Sequence, residues 1–162
     1  MTELRGNGPG VAFPPPGLFV AGFLVGWLLD SRVLHLWPSP SGMSSSVIDG
    51  VGGFLVGAGL ALAFWGIATF TRAKTAIVPN HDASKLVTTG PYKFTRNPMY
   101  TGLTAAYVGL AAIMSTGWPL LLLPFVLMAL YGLVISREER YLIAAFGDQY
   151  RAYQRDVGRW GW

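Results

Sequence analysis

Cysteine is absent from the 162-residue chain, and histidine occurs only twice, at His35 and His81. Without cysteine the chain cannot form disulfide bonds, use thiolate catalysis or build cysteine-based zinc or iron–sulfur sites. The two histidines lie far apart in the sequence, so we expect no histidine-rich metal site. The sequence therefore predicts a protein without a metal cofactor.

Charge is also scarce. Charged residues make up 12% of the chain, apolar residues 52%, and the mean hydropathy is +0.42. A soluble domain typically carries about twice this share of charge, so a soluble globular enzyme is not expected. Abundant apolar surface argues equally against disorder. The length suits one domain, and we predict a single membrane domain over residues 1–162.

Long uncharged intervals predict the membrane spans. Residues 6–29, 50–71 and 97–136 contain no charged side chain. The third interval exceeds the roughly 20 residues that one span needs, and the glycine and proline of the segment STGWP at 115–119 predict a turn within it. We predict an all-α integral membrane fold whose last two spans form a helical hairpin. The four transmembrane helices are expected at about 17–37, 47–70, 98–115 and 119–136.

Basic residues are concentrated in the loop 71–97 and in the tail 137–162, whereas the loop 38–46 contains none. Lysine and arginine accumulate in the cytoplasmic loops of membrane proteins. We therefore expect the loop 71–97 and the tail to face the cytoplasm. With four spans, the amino terminus is expected on the same side.

The string GFLVG occurs twice, at residues 22–26 and 53–57. Each copy is a GxxxG pattern, which allows two helix backbones to approach closely. We expect these glycines to pack spans one and two together. A homodimer formed through the GxxxG faces is an alternative use of the same pattern.

The segment GPYKFTRNPMY at 90–100 is a candidate site. Each proline favours extended geometry in the residue before it, which predicts a rigid loop. Asn97 and Pro98 suit the N-cap and first position of a helix, so span three is expected to begin there. Its free N–H groups and Arg96 would attract a carboxylate or phosphate. Alternatively, Asn97 only caps the helix and Arg96 only anchors it in the headgroups.

The tail opens with two acids, Glu138 and Glu139. A carboxylate at the membrane boundary is costly unless it is paired or functional, so Glu138 is a candidate ligand-binding group. Its alternative role is an ion pair with Arg96 or Arg137. The apolar residues that follow are spaced as one stripe of an amphipathic helix headed by Glu138: Leu142, Phe146, Tyr150, Tyr153 and Val157.

Two separated motifs carry a family resemblance. LVTTGPYKFTRNPMYTG (86–102), followed after an apolar interval by EERYLIAAFGDQYRAYQRDVGRW (138–160), resembles the isoprenylcysteine carboxyl methyltransferase family. This family includes many bacterial membrane methyltransferases and is related to the phospholipid N-methyltransferases. The resemblance covers residues 72–162. It implies an enzyme of the bacterial inner membrane that binds S-adenosyl-L-methionine (SAM) and methylates a lipidic or amphipathic acceptor on a carboxylate, thiol or amine.

The resemblance also implies a set of site residues. Arg96 and Glu139 are the expected catalytic residues, although which of the two acids contacts the cofactor and which the substrate stays open. The residues expected to bind SAM are Ser84, Lys85, Leu86, Val87, Tyr92, Asn97, Pro98, Met99, Tyr100 and Glu138. Two positions depart from the family pattern. Asn97 replaces a histidine, and Val134 stands where prenylcysteine enzymes carry a substrate-contacting arginine.

The groups of SAM match the chemistry of these residues. The start of span three and Arg96 suit its carboxylate, and Glu138 or Glu139 suits its ribose diol or amino group. Tyr92 and Tyr100 can stack on adenine or lie against the cationic sulfonium. Because the sulfonium already makes the methyl group electrophilic, the main task of the enzyme is to position donor and acceptor in line.

Two other functions are open on the sequence alone. The chain is either a non-enzymatic membrane scaffold or assembly protein, which the two departures from the family pattern would favour, or a nicotinamide-dependent membrane reductase on a similar scaffold. Short spans and the compact pair of motifs argue against the reductase. Nucleic acid is not an expected partner, because no soluble basic domain is present to bind it.

Overall fold

The computed structural model describes residues 14–37, 44–73 and 85–161, and every regular element in these ranges is helical. The all-α prediction is therefore confirmed for this part of the chain. The elements in chain order are α1 (Pro15–Arg32), α2 (Ser45–Arg72), a 3-10 turn (Gly90–Lys93), α3 (Pro98–Ile113), α4 (Trp118–Leu130), a π-helical turn (Tyr131–Ile135), α5 (Ser136–Phe146) and α6 (Asp148–Asp156).

Within the described ranges, two helices are long and apolar enough to cross a membrane: α2 and the continuous helix Trp118–Phe146. Helix α3 has 16 residues and α1 has 18. The outward faces of these helices carry large exposed apolar side chains, among them Phe54, Phe64 and Phe125. An apolar exterior of this kind suits contact with lipid rather than with water.

Helix α1 ends at Arg32, although its span was expected to reach residue 37. The buried carboxylate of Asp30 accepts a hydrogen bond from the backbone N–H of Leu36 at 3.0 Å and lies 2.6 Å from Nδ1 of His35. These contacts turn the chain back onto the end of its own helix. The backbone N–H of Gly117 in turn donates to the carbonyl of Leu36, which holds this segment against the α3–α4 turn.

Helix α2 packs along α3 through pairs of glycines. A Cβ atom at Gly52 would lie 2.8 Å from the backbone oxygen of Gly109, and one at Gly59 would collide with the carbonyl of Gly102. Backbones come this close only where side chains are absent. The α2–α3 contact therefore holds the loop before α3 beside the carboxyl-terminal end of α2.

The two GFLVG strings do not pack α1 against α2, so that expectation is wrong. Gly22 and Gly26 face α4, and a Cβ atom at Gly26 would lie 2.6 Å from the backbone nitrogen of Pro119. Gly53 and Gly57 face open space, with no described atom of another element within 4 Å of their Cβ positions. The glycines of α2 that meet α3, such as Gly52 and Gly59, lie on a neighbouring face of the helix. They are not part of the GFLVG string.

Gly147 divides the tail into two helices where one was predicted. Its backbone has a φ of 52°, a left-handed conformation that favours glycine and commonly ends a helix. The predicted apolar stripe nevertheless forms a single core. Tyr150 and Tyr153 are buried with Val87 and Tyr92, and we call these four residues the tyrosine core. The other three stripe residues pack against it: Leu142, Phe146 and Val157.

The α2–α3 contact predicts a difference between two glycines on the same helix. Gly59→Val should lower the free energy of unfolding by about 1–3 kcal/mol, because the added side chain overpacks the helix contact. Gly57→Val should change it far less, since its Cβ position faces open space. Unfolding in detergent followed by circular dichroism measures both. Equal destabilisation would contradict the helix pairing described here.

Candidate functional site

The site forms where the loop before α3, the first turn of α5 and residues 158–160 meet. The backbone N–H of Arg96 donates to the carbonyl of Gly158 at 3.0 Å. The carbonyl of Arg159 accepts hydrogen bonds from the Thr95 hydroxyl at 2.9 Å and from the Asn97 side chain at 3.2 Å. Three hydrogen bonds thus fasten the end of the chain onto the loop before α3.

Glu139 is the centre of a salt-bridge network with Arg96 and Arg159, which we call the ion pair. Its carboxylate accepts from Nη1 of Arg96 at 2.9 Å and from Nε and Nη2 of Arg159 at 2.9 and 2.8 Å. The side chains of Arg96 and Glu139 are only 11% and 14% exposed. The hydrogen bonds that Arg159 donates to Glu139 raise the pKa of Arg159, so this guanidinium stays charged. Paired guanidinium groups of this kind fix the plane in which each donor points.

Glu138 occupies a different environment from its neighbour. Its Oε1 accepts a hydrogen bond from the hydroxyl of Tyr100 in the first turn of α3, at 3.0 Å. The guanidinium of Arg96 pairs with Glu139 instead of with Glu138. The two adjacent acids therefore point to different partners, and Glu138 keeps a carboxylate oxygen that this tyrosine does not occupy.

Two buried polar atoms belong to the segment that precedes α3. The hydroxyl of Tyr92 and Nε of Arg96 have no hydrogen-bond partner among the residues that the structure describes. Burial raises the pKa of Tyr92, so its side chain is a neutral phenol. Because buried polar groups are nearly always hydrogen-bonded, each of these two atoms is a position at which a polar ligand would complete the bonding.

The backbone around Tyr92 is held by the tail. The hydroxyl of Tyr153 donates to the carbonyl of Tyr92 at 2.7 Å, and the Phe70 ring from α2 meets the Tyr92 ring edge-on at 5.0 Å. Burial raises the pKa of Tyr153, which keeps this donor protonated. Helices α2 and α6 therefore set the position of the Tyr92 side chain.

Asn97 stands at the N-cap of α3, as expected, but its side chain makes no capping hydrogen bond. Its amide donates to the carbonyl of Arg159 instead, and its backbone N–H donates to the Thr95 hydroxyl at 3.1 Å. The expected capping role is therefore wrong, because the carbonyl of Arg159 lies close enough to accept a hydrogen bond from this side chain. Pro98 follows as the first residue of α3 and is buried.

The remaining predicted residues fall into two groups. Met99 lies with Pro98 and Tyr92 against α2, where a Cβ atom at Gly66 would meet all three. Val87 is buried in the tyrosine core, and Leu86 packs beside it. Lys85 is exposed near the end of α2, and Ser84 lies outside the described residues. Tyr92 connects the two groups, since it belongs to the tyrosine core and also lies with Pro98 and Met99 against Gly66.

Arg159 is the functional candidate that the sequence did not single out. Its position among the basic residues of the tail indicated only membrane orientation. In the structure it supplies two of the three donors to Glu139, and its guanidinium lies 4.9 Å from the centre of the Tyr131 ring. Arg159 lies inside the motif at residues 138–160 that carries the family resemblance. This position was the signal by which the sequence could have identified it.

The π-helical turn Tyr131–Ile135 ends three residues before Glu138. A π turn inserts one extra residue and rotates the side chains that follow, and such turns are frequent at functional sites. After this turn, the side chain of Glu138 bonds to Tyr100 and that of Glu139 bonds to Arg96. Val134, where prenylcysteine enzymes carry an arginine, is fully buried within this turn.

Comparison with known proteins identifies the family. The family model of phospholipid methyltransferases matches residues 48–149, more than half of the chain. The chain belongs to this family. It is also 35% identical over 72 residues to the Protein-S-isoprenylcysteine O-methyltransferase of Schizosaccharomyces pombe, a match that covers 44% of this chain and 30% of that protein. None of the solved structures matches the chain.

Membership in the phospholipid methyltransferase family confirms the resemblance to the isoprenylcysteine methyltransferases. Together with the two apolar helices it makes the chain a membrane protein of a methyltransferase family. The matched region 48–149 includes Arg96, Tyr100 and both acids but ends before Arg159. The bonds from Arg159 are therefore a feature of this structure that the family match does not cover.

The ion pair predicts a large effect of one tail arginine and a small effect of another. Arg159→Gln should lower the free energy of unfolding by about 1–3 kcal/mol, because Glu139 would lose donors at a partly buried position. Arg155→Gln removes the same charge at an exposed position and should stay within about 0.5 kcal/mol of the wild type.

A double-mutant cycle separates the ion pair from other effects of the substitution. Arg159→Gln combined with Glu139→Gln should cost less than the sum of the single changes, because the two residues act on each other. Denaturant unfolding in detergent provides all four free energies. Strict additivity would show that the two side chains do not interact in the folded protein.

Proposed function

We propose that the protein transfers a methyl group from SAM to a lipidic or amphipathic acceptor at the cytoplasmic membrane face. Family membership supplies the reaction class. The observation that carries the cofactor assignment is the pair of buried atoms without partners in the described part of the chain, the Tyr92 hydroxyl and Nε of Arg96. SAM offers acceptors for both, in its carboxylate and its ribose hydroxyls.

The residues present fit SAM. Tyr92, Arg96 and the start of α3 would bind its anionic and hydroxyl groups, and Glu138 would accept from its amino group or diol. Residues 84–87 complete the set by the family pattern. When bound, SAM supplies a methyl group made electrophilic by its sulfonium. The protein's own contribution is then to orient both reactants and to exclude water.

Glu139 is a positioning residue in this proposal. Its carboxylate is occupied by hydrogen bonds from Arg96 and Arg159, so it acts through them. Holding Nη1 of Arg96 fixes the guanidinium with Nε left over as the donor for a ligand. Glu138 has a carboxylate oxygen that Tyr100 does not occupy, so we assign to it the contact with cofactor or substrate.

The acceptor would arrive from the bilayer. The site lies in the carboxyl-terminal third of the helix Trp118–Phe146 and beside α3, where a lipidic molecule can enter laterally. A carboxylate or thiolate acceptor needs no general base. An amine must lose a proton, and Glu138 is the carboxylate placed to receive it.

The four-span arrangement is part of this proposal. Helix α3 lies along α2 and α1 lies against α4, so if α2 and α4 cross the membrane their partners lie beside them in it. The basic loop 71–97 and the tail would face the cytoplasm, in a bacterial inner membrane, with residues 1–162 as one membrane domain. A homodimer would use the open α2 face at Gly53 and Gly57, since Gly22 and Gly26 already meet α4.

Binding of S-adenosylhomocysteine tests the cofactor assignment. Calorimetry on the detergent-purified protein should give saturable binding, and NADPH should give none. Glu138→Gln should weaken binding about 10- to 100-fold, the range expected for a lost charge-assisted hydrogen bond. The matched control Asp156→Asn removes an exposed carboxylate and should leave binding unchanged. Absent binding to folded protein would favour the scaffold, and NADPH binding the reductase.

The unpartnered Tyr92 hydroxyl predicts a loss of affinity without a loss of stability. Tyr92→Phe should leave the unfolding midpoint unchanged or raise it, because the removed hydroxyl has no partner in the described structure, while weakening S-adenosylhomocysteine binding. Tyr153→Phe removes the hydrogen bond from Tyr153 to the carbonyl of Tyr92 and should lower the free energy of unfolding by about 1 kcal/mol. If Tyr92→Phe destabilised the fold and left binding intact, the Tyr92 hydroxyl would have a structural role.

A further inference from the structure

The guanidinium of Arg159 has one nitrogen that Glu139 does not bind. Its Nε and Nη2 donate to the two carboxylate oxygens of Glu139 at 2.9 and 2.8 Å, which leaves Nη1 on the other side of the group. The side chain of Arg159 is 31% exposed, against 11% for Arg96. A guanidinium carries five N–H donors and stays charged, so Arg159 can bind a second anion from its open side.

The negative charge of Glu139 is shared between two cations. Its carboxylate accepts hydrogen bonds from both Arg96 and Arg159, whereas the neighbouring acid, Glu138, bonds to Tyr100. A further anion at Arg159 would therefore meet a guanidinium whose charge is only partly balanced. Bonds from a guanidinium to a carboxylate or a phosphate are among the strong hydrogen bonds of proteins.

The position of this guanidinium is fixed by the residues around it. The backbone carbonyl of Arg159 accepts hydrogen bonds from Thr95 and Asn97, and the next residue, Trp160, packs against the apolar core of the helices. The guanidinium itself lies 4.9 Å from the centre of the Tyr131 ring, a cation–π contact that orients it. Arg159 is thus held over the first residue of the π-helical turn.

Tyr131 is the last member of an exposed apolar stripe. Leu121, Phe125, Met128 and Tyr131 are spaced by four, three and three residues, so they share one face of α4 and its continuation; we call them the α4 stripe. All four side chains are exposed. From the first to the last, the helix rises about 15 Å at ~1.5 Å per residue, half of a hydrocarbon core of ~30 Å. A hydrocarbon chain in one leaflet could therefore lie along the stripe and end at Arg159.

We propose that the methyl acceptor is an amphiphile whose anionic group, a phosphate or a carboxylate, is bound by Nη1 of Arg159 and whose hydrocarbon chain lies along the α4 stripe. Arg159 is then a specificity-determining residue, and Tyr131 positions its guanidinium. The inference rests on the proposed function, since it states how the acceptor is recognised. It also places the acceptor beside the acid pair, because Glu139, which holds Arg159, directly follows Glu138.

Native mass spectrometry of the full chain in detergent tests this recognition with three amphiphiles that share an oleoyl chain. Oleoyl lysophosphatidic acid carries a phosphate, oleate a carboxylate, and monooleoylglycerol no charge. At least one of the anions should be retained in preference to monooleoylglycerol, and the tighter one identifies the anionic group. Equal retention of all three would overturn the proposal.

Glycerol 3-phosphate tests the contribution of the α4 stripe, because it has a phosphate and no hydrocarbon chain. Calorimetry should show that it binds weaker than lysophosphatidic acid by about tenfold or more, since it buries no apolar chain. Equally tight binding would indicate a site for a soluble phosphate ester and overturn the proposal.

Substitutions on the two sides of the ion pair should have different effects. Arg159→Gln should weaken retention of the preferred anion by about tenfold or more, as expected for a lost bond between charged groups. Glu139→Gln keeps the guanidinium of Arg159 and removes the competing carboxylate, so the folded variant should retain the anion at least as well as the wild type. Tyr131→Leu keeps the stripe apolar and should weaken retention about two- to fivefold, because the guanidinium loses its cation–π contact.

The matched control is Arg155→Gln, which removes an exposed charge from the tail and should have no effect. Equal losses in Arg159→Gln and Arg155→Gln would indicate general charge attraction. Equal losses in Arg159→Gln and Glu139→Gln would show that the ion pair serves only the fold. Either result would overturn the proposal.

Binding of S-adenosylhomocysteine distinguishes this proposal from the cofactor assignment. Arg159→Gln leaves the bond between Arg96 and Glu139 in place, so its affinity for S-adenosylhomocysteine should stay close to that of the wild type. Matching losses of both ligands would assign Arg159 to the cofactor and overturn the proposal. A wild type that binds S-adenosylhomocysteine but does not prefer anionic amphiphiles would overturn this proposal alone. The reverse result would support anion recognition and overturn the proposed methyl transfer.

Discussion

The carboxylate of Glu139 is the contact on which the arrangement of the site depends. It joins Arg96 from the loop before α3 to Arg159 near the end of the chain, three segments far apart in sequence. Charges this poorly exposed are tolerated only when they are paired, and removing one partner leaves the others uncompensated. The ion pair therefore holds the loop, the start of α5 and the end of the chain in one position, and Tyr100 and Glu138 meet within that frame.

Two backbone features bring these segments within reach of one another. Glycines on α2 and α3 allow the helices to touch along their length, which places the loop before α3 beside the end of α2. The π-helical turn before the acid pair and the left-handed Gly147 after α5 then redirect the chain leaving α4. The tail consequently folds back over Tyr92 and Val87, where an uninterrupted helix would have continued past them.

The polar face of the molecule thus has two regions with different charge. Around Glu139 cations and carboxylates are matched, and the unpartnered atoms are few and buried, which suits a polar ligand held in a defined orientation. At the end of α2, Arg72 and Lys85 are exposed and line a groove that contains no acid among its described residues.

The sequence alone determined the fold class, the family and the segments that carry the site, because hydropathy, proline–glycine punctuation and two motifs are local properties of the chain. It named Arg96, Tyr92, Tyr100 and the acid pair for the same reason. Only the tertiary structure decided which acid pairs with which arginine, that Asn97 bonds to the end of the chain, and that Arg159 belongs to the cluster. Those outcomes depend on helix rotation and on contacts between distant segments, and neither the GFLVG repeat nor the stripe of the tail specifies rotation. A π turn or a left-handed glycine shifts every side chain that follows it.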